Sequence, residues 1–551
     1  MEKKYDYIIV GAGSSGCVMA NRLSEDPSNT VLLIEAGGPD KHPYIHMPGG
    51  YGKNHRSKRD WGFWTTPQKH ANNRRIYLPR GKTLGGSSST NAMAYVRGNK
   101  HDYDHWSQLG NRGWSYDDVL PLFKKSECNA NISELDAPFH SDQGELKVSF
   151  QKAFRTKYAQ AFIDSCTEWG LNANQDYNGS HQRGVGEFQF TIADGKRQST
   201  AVAFLKPIMN RPNLTISTHS HVMKLHIKND EAIGLSFKKG NVTSVVLVNK
   251  DIILSAGAFQ SPQLLLLSGI GPKDHLKSHG IDVIQDLPGV GQNLQDHLFY
   301  GVTADTKMND GVNHYLSIPG QLKGLWSYLM YKKGPLACSL LEAVAFLNVD
   351  HPDEEVNFQL HFAPISFGEG YEYDAYDIKT YPHKDGVSIL PTLLHPQSRG
   401  EVTLSSQDPL SAPVISPKFL SKEKDLEQLV KGGKIALELF KQSSFSSHLN
   451  KIIAPLQHDK EADLVEHIKK SVETVYHPVG TCKMGHDEMA VVDDELRVLG
   501  IGKLRVVDAS IMPKIITGNT NAACIMIAEK AANMILNQAK IVRKESTIMA
   551  Q

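Results

Sequence analysis

Two side chains near the carboxyl end have the types and surroundings to do chemistry together. His477 stands in Tyr-His-Pro-Val-Gly-Thr-Cys-Lys-Met-Gly (476–485), and Asn521 follows 44 residues later in Thr-Gly-Asn-Thr-Asn-Ala-Ala-Cys (517–524). A neutral imidazole, with an ordinary pKa of about 6.5, takes up a proton close to neutral pH. A carboxamide does not, yet it can hydrogen-bond a substrate oxygen and hold it in one direction. The pair therefore divides into a base and a positioner. Pro478 and the glycines after it disfavour a regular helix, which puts His477 on a loop. Asn521 opens an amphipathic helix through Ile525, Met526, Ala528, Ala532 and Ile535. A helix N-cap is its alternative reading, and Asn519 has an equal claim to that cap.

The other end of the chain announces a cofactor. Tyr5 to Val10 is a continuous apolar, β-branched run of the kind that forms a buried parallel strand. It leads into Gly11-Ala12-Gly13-Ser14-Ser15-Gly16 and a helical stretch from Cys17 to Leu23. Val31 to Ile34 reads as a second buried strand ending on Glu35 and Ala36, with Glu35 19 residues beyond Gly16. Gly11 permits the tight turn, Gly13 lets backbone approach a pyrophosphate, and Gly16 lets helix pack on strand. The helix start, with the backbone of Ser14 and Ser15, offers unpaired N–H donors and a positive dipole end to phosphates, while Glu35 accepts from ribose hydroxyls. An acidic strand end of this kind suits FAD and NAD alike. A second block, Arg80-Gly81-Lys82-Thr83-Leu84-Gly85-Gly86-Ser87-Ser88-Ser89-Thr90-Asn91-Ala92-Met93, is a small-residue loop that a flat, bulky group can approach closely. Leu84, Met93, Ala94, Tyr95 and Val96 require burial around it.

At 551 residues the chain exceeds the roughly 250–300 at which a single core stops growing, so two closely joined domains are expected. Its 60 basic and 59 acidic residues leave a formal net charge of +1, which points to neither nucleic acid nor an anionic membrane surface. Six cysteines (17, 128, 166, 338, 482 and 524) include no Cys-x-x-Cys pair, so reduced, mostly buried thiols are expected and no metal site. The opening residues lack a signal-peptide apolar region, which suggests a cytoplasmic protein. Ile252 to Ile270, the most apolar stretch, is interrupted by Ser, Gly, Gln and Pro and falls short of the ~20 apolar residues of a spanning helix. Contact with the periphery of the inner membrane stays open, as does the oligomeric state.

Two further blocks, Gly257-Ala258-Phe259-Gln260-Ser261-Pro262 running on to Gly271, and Leu287-Pro288-Gly289-Val290-Gly291-Gln292-Asn293-Leu294-Gln295-Asp296-His297, complete an ordered set. With them the chain resembles, over almost its whole length, the glucose-methanol-choline (GMC) flavin oxidoreductases, above all the bacterial choline dehydrogenase and alcohol dehydrogenase branch. The resemblance implies an α/β fold. A Rossmann-like FAD-binding domain (1–155, 195–305 and 472–540) is interrupted by an α+β substrate domain with an antiparallel sheet (156–194 and 306–471), and 541–551 form a frayed tail.

FAD is the implied cofactor. Its contacts fall on Gly11, Gly13, Ser14, Ser15, Gly16, Glu35 and Ala36, on Thr83, Gly86, Asn91, Met93 and Ala94 of the small-residue loop, and on Val222 by its backbone. Ala256, Gly257, Asp508, Ala509, Asn519 and Thr520 complete the set. Some members bond the flavin to a histidine where this chain has Thr90, so non-covalent FAD is expected. The implied reaction is oxidation of a primary alcohol to the aldehyde: His477 takes the hydroxyl proton, Asn521 fills the family's second catalytic position, and hydride passes to flavin N5. Electrons then go to a quinone, a carrier protein or, in an oxidase, oxygen. A hydroxynitrile-type lyase is a remote alternative on the same scaffold. Glu342, in Leu341-Glu342-Ala343-Val344-Ala345-Phe346, resembles a segment of choline dehydrogenases but with both of its glycines replaced. Glu342 and Tyr476 are the substrate candidates, and an aliphatic or aromatic alcohol is expected ahead of choline. Trp61, Phe63 and Trp64 read as core, His361 as a satisfied sheet histidine, and His101 and His105 as surface residues.

Overall fold

The opening strand β1 (Lys3–Val10) buries its last four residues, and α1 (Ser14–Leu23) follows the glycine turn before β2 (Val31–Ile34), which is buried throughout. In this computed structural model, which describes residues 3–549 and side chains to 538, β1 lies between β2 and the long strand Val242–Leu254, all three parallel. Leu214–Ser217 extends the sheet beyond β2, and Leu504–Val506 runs parallel to the end of the long strand. A hairpin, Ser220–Lys228 and Glu231–Lys239, continues it antiparallel to make seven strands. The register sets Val10 beside both Ile34 and Leu254, and Leu254 beside Val506. Four parallel strands therefore end at one edge, where Gly11, Glu35, Ser255 and Asp508 follow, the place where open α/β sheets bind ligands.

Continuous apolar strands of this kind need cover on both faces. One face is closed by α1 and the helix Asn521–Met549, and the core there includes Ile8, Val18, Ile253, Trp106 and Met526. An ion pair fastens the two helices. Arg22 Nη2 lies 2.6 Å from Glu529 Oε1, with side-chain exposures of 7% and 0%, and Arg22 Nη1 lies 2.6 Å from Glu145.

The second sheet is antiparallel, in the order Leu449–Ala454, Val302–Thr306, Gly386–Leu393, Phe358–Ala363, Ala343–Leu347 and Gly184–Glu187. It has its own core, with Phe162, Tyr300, Phe358, Phe362 and Leu429 under the helices Lys157–Glu168 and Glu423–Leu439. Leu298–Phe299 and Val302–Thr306 both join this sheet. The last helix runs to Met549 through most of the expected tail; Ala550 and Gln551 lie outside the described residues. No helix among the described residues is long and apolar enough to cross a membrane.

Removing one partner of a buried pair strands the other charge, at about 3–5 kcal/mol. Glu529→Ala is therefore expected to lower the unfolding midpoint in urea or on heating, and an unchanged midpoint would show that Glu145 alone suffices for Arg22.

Candidate active site

A cavity of about 760 Å³ opens between the carboxyl edge of the parallel sheet and the antiparallel sheet. Its floor is largely bare backbone. A Cβ on Gly257 would meet nothing within 4 Å among the described residues, and one on Gly13 only Ser255 O at 3.8 Å. Elsewhere the glycines serve close packing. A Cβ on Gly16 would fall 1.9 Å from Gly11 O, and one on Gly86, whose φ is +51°, 2.7 Å from Gly13 Cα. The two small-residue turns are thus pressed back to back. Glu35 accepts from Ala12 N at 2.9 Å and Gly37 N at 2.7 Å, while burial pushes its carboxyl up to about 7. Asp508 accepts from Gly257 N at 2.8 Å and from the Ser261 hydroxyl at 2.6 Å, tying two strand ends together.

The lining brings together nearly all of the residues expected at the cofactor: Gly11, Gly13, Ser14, Ser15, Glu35, Ala36, Gly86, Asn91, Met93, Ala94, Val222, Ala256, Gly257, Asp508, Ala509, Asn519 and Thr520. Two stay outside it. Gly16 lies beneath the turn, as its packing role requires, and Thr83 turns away because its hydroxyl donates to Gly38 O at 2.9 Å. Asn91 is held by Arg197, whose Nη1 donates to its Oδ1 at 2.6 Å and whose Nη2 donates to its carbonyl at 2.7 Å. Burial brings the Arg197 guanidinium down to about 9. Ser255 Oγ, His361 Nε2 and Asn519 Oδ1 are buried at the cavity without a partner among the described residues. Unpaired polar atoms around a backbone floor, with the N-terminus of α1 at one point and Glu35 at another, fit an extended dinucleotide.

His477 is set by strand pairing. Glu473–Thr474 lies antiparallel to Leu298–Phe299, and just beyond it Val475 N donates to His297 O at 2.9 Å. The Asp296 carboxylate clamps the crossing, accepting from the Thr474 hydroxyl at 2.5 Å and from His477 N at 2.8 Å. Tyr476 takes a left-handed φ of +67°, unusual for a non-glycine residue, and its carbonyl accepts from Arg80 at 2.5 Å. That turn aims the imidazole into the cavity. Its Nε2 accepts from Asn519 Nδ2 at 3.1 Å, and its Nδ1 lies 3.0 Å from Nδ1 of the wholly buried His297. With the amide donating, Nε2 carries the lone pair and Nδ1–H donates to His297. Burial first, and then the neighbouring His297, His361 and Arg80, hold His477 well below the usual histidine value, so it is neutral at pH 7.

The amide at the imidazole is therefore Asn519 and not the expected Asn521. Asn521 sits two residues on, in the first helical turn, and its Oδ1 accepts from the Ser14 hydroxyl at 2.7 Å, which ties that helix to the glycine turn. Both asparagines line the cavity, and in Gly-Asn-Thr-Asn they are equivalent by type and nearly so by spacing. His297, Asp296, Arg80 and Arg197 carried no assigned role. The adjacent Asp296 and His297 in an already distinctive block were the available signal.

The substrate candidates divide. Both Glu342 oxygens accept from Thr156, from its N at 2.9 Å and its hydroxyl at 2.6 Å, and burial pushes that carboxyl up to about 7. Tyr476 shares a hydroxyl bond of 2.8 Å with Tyr376. His361, expected to be satisfied in the sheet, bonds Thr392 only through Nδ1 at 3.2 Å and lines the cavity. Trp61 also lines it, 5.7 Å from the His221 ring, whereas Phe63 is core and Trp64 is 41% exposed.

A methyl group on Gly13 has room in the protein but would enter the space of a bound pyrophosphate. Gly13→Ala is expected to fold with an unchanged core spectrum and to bind dinucleotide at least about tenfold more weakly, read by flavin content after dialysis. Full retention would place the pyrophosphate elsewhere.

Comparison with known proteins gives the family. Residues 5–299 match the amino-terminal family model of the GMC oxidoreductases and residues 396–528 the carboxy-terminal one. The chain is 42% identical to an alcohol dehydrogenase [acceptor] of Pseudomonas putida, covering 99% of this chain and 98% of that one. It is 40% identical to an oxygen-dependent choline dehydrogenase of Sinorhizobium fredii, covering 98% and 96%. Among solved structures, a pyridoxine 4-oxidase from Mesorbium loti superposes with a TM-score of 0.86 at 31% identity, over 96% and 98% of the two chains.

Proposed function

The chain belongs to the GMC oxidoreductase family, FAD enzymes acting on CH–OH donors, and from that premise we propose that it oxidises an apolar primary alcohol to the aldehyde on non-covalently held FAD. The observation that carries this reading is the Asn519–His477–His297 chain, which presents a neutral imidazole to a cavity whose backbone floor fits a dinucleotide.

When bound, FAD supplies the acceptor for the two electrons and the hydrogen that leave the carbinol carbon. The turn Gly11–Ser15 would hold its pyrophosphate and Glu35 its ribose; Val222 would meet the adenine, and Asn91, Met93 and Ala94 the ring. Asn519 Nδ2, shifting its donation from His477 Nε2 to the substrate oxygen, directs the hydroxyl, and His477 Nε2, its lone pair released, takes the proton. His477 Nδ1–H keeps donating to His297, which holds the ring plane fixed and takes up part of the new charge. Thr520 and Asn521, at the positive end of the last helix, favour negative charge developing nearby. Thr90 lines the cavity where a histidine would be needed for a covalent flavin bond.

One observation favours an uncharged substrate over choline. The carboxylate best placed for an ammonium, Glu342, is occupied by Thr156. The same cavity is also lined by Leu341 and Ile365 and by the rings of Phe299, Phe367, Tyr373 and Tyr381, which admit an aliphatic or an aromatic chain. The electron acceptor in this reading is a quinone or a carrier protein, as the relative named for an acceptor suggests, with oxygen as the alternative.

His477→Ala is expected to keep its FAD and to slow anaerobic flavin bleaching by an alcohol roughly 100-fold or more. Asn519→Ala should slow bleaching as well, whereas Asn521→Ala, which frees Ser14, should chiefly loosen FAD. The opposite pattern would return the positioning role to Asn521. Acid precipitation should leave the yellow colour in the supernatant, and colour retained by the pellet would overturn non-covalent binding.

A further inference from the structure

The helix Ile318–Tyr331 inverts the usual rule for a surface helix. Its buried residues are Gly320, Gly324 and Tyr328, a single stripe four residues apart. Gly320 is pressed so close that a Cβ would fall 2.3 Å from His314 O, and Gly324 faces Tyr315 and Leu336. The large apolar side chains point the other way. Ile318 is 77% exposed, Leu322 64%, Trp326 58%, Leu329 60%, Met330 63% and Tyr331 58%. A helix of a soluble domain turns its apolar stripe to the core, and apolar side chains gathered outward mark a surface that meets something else.

Charge indicates what covers it. Between Asp310 and Glu342 the chain has no acidic residue, but it has Lys323, Lys332 and Lys333. Lys323 and Lys333 are exposed, and Lys332 reaches back over the Tyr328 ring at 4.2 Å. Trp and Tyr among aliphatic residues, with lysines and no acids, is the composition of a helix lying in the headgroup plane of an anionic bilayer. A second copy packed symmetrically on this face would set the lysines against one another. The near-zero net charge of the whole chain conceals this local excess.

Position supplies a second argument. Ile318, Gln321, Leu322 and Leu325 are exposed and also line the cavity, and Lys53, likewise exposed, lines it with Gly49, beside which Pro335 packs. The helix is the threshold of the cavity. We propose that Ile318–Tyr331 is an interfacial helix that seats the enzyme on an anionic lipid surface with the cavity mouth against it, so that an apolar alcohol enters from the lipid. The entry step rests on the alcohol reading above; the docking step does not.

Sedimentation of the full-length holoenzyme with phosphatidylcholine vesicles, with and without phosphatidylglycerol, tests the docking. The wild type is expected to sediment with the anionic vesicles and to be released by salt. The double variant Trp326→Glu/Leu329→Glu, altered only at exposed positions outside the cavity, is expected to partition about tenfold less or weaker still. Its FAD content and its turnover of a short, water-soluble alcohol with a dye acceptor should match the wild type. Wild type that stays in the supernatant, a variant that sediments equally, or a dimer in light scattering that the variant abolishes without any vesicle binding would each overturn the proposal. If the wild type sediments but oxidises choline and no apolar alcohol, docking stands and entry from lipid falls.

Discussion

The site depends on one strand crossing. Residues 295–299 run beside 473–479, with Gln295 paired to Val479 and Leu298 to Thr474, and the Asp296 carboxylate is locked between the Thr474 hydroxyl and His477 N. Leu298–Phe299 also pairs with Gly386–Leu393, so the crossing belongs to the antiparallel sheet. The chain beyond it returns to the parallel sheet, where Cys482 N donates to Ser510 O at 2.9 Å and Leu504–Val506 joins the long strand. His477 is thus strung between the two sheets and faces the gap between them. A slip of one residue would exchange the faces of the paired strands and withdraw both His297 and His477 from each other. Asp296, itself raised to about 7 by burial, keeps that register without touching the substrate space.

The same enclosure sets the electrostatics. Burial raises Glu35 and Glu342 to about 7 and holds His477 low. The low dielectric makes a neutral imidazole the stable resting form, and it makes any charge that forms during reaction dependent on fixed partners. Those partners are His297 behind the imidazole, the N-terminus of the last helix, and Arg197 and Arg80 nearby. Arg197 is held by carbonyl and amide oxygens, at Ile45, Ser88 and Asn91, and Arg80 by the carbonyls of Pro79 and Tyr476. Arg80 also lies in the field of Asp296 and Asp60, whereas Arg197 has only oxygens of neutral groups as partners, and its positive charge favours an anionic ligand, consistent with a phosphate-bearing cofactor that becomes electron-rich in turnover.

What could be read from the sequence follows from how local each feature is. The strand, glycine turn and helix at 5–23 are written in contiguous residues, so type and spacing suffice, and Glu35 follows because the second strand is short and wholly apolar. Thr83 lies off the lining because a hydroxyl in a glycine-rich loop can bond backbone on either side, and here it donates to Gly38 O. Asn519 and Asn521 could not be separated because their difference is rotational. One precedes the helix and reaches His477, while the other has entered its first turn and reaches Ser14. His297 becomes meaningful only through a pairing 180 residues long in sequence, which no local pattern records.

The exposed apolar helix was illegible for a different reason. Its sequence has glycines at 320 and 324 and apolar residues on nearly every side, so no periodic pattern tells which face is buried. The structure shows that the two glycines and Tyr328 are the residues buried, because a close backbone approach to His314 and Tyr315 uses the glycine stripe and leaves most of the larger side chains outward. A core would have taken the larger side chains, since each is worth about 1.5–3 kcal/mol when buried. They are left outside, and Ile318, Leu322 and Leu325 among them share the lining of the cavity that holds the Asn519–His477 pair. Of the polar groups on that lining, the Asn519–His477 pair is the one that can orient an alcohol by its hydroxyl, before any single contact has selected its chain.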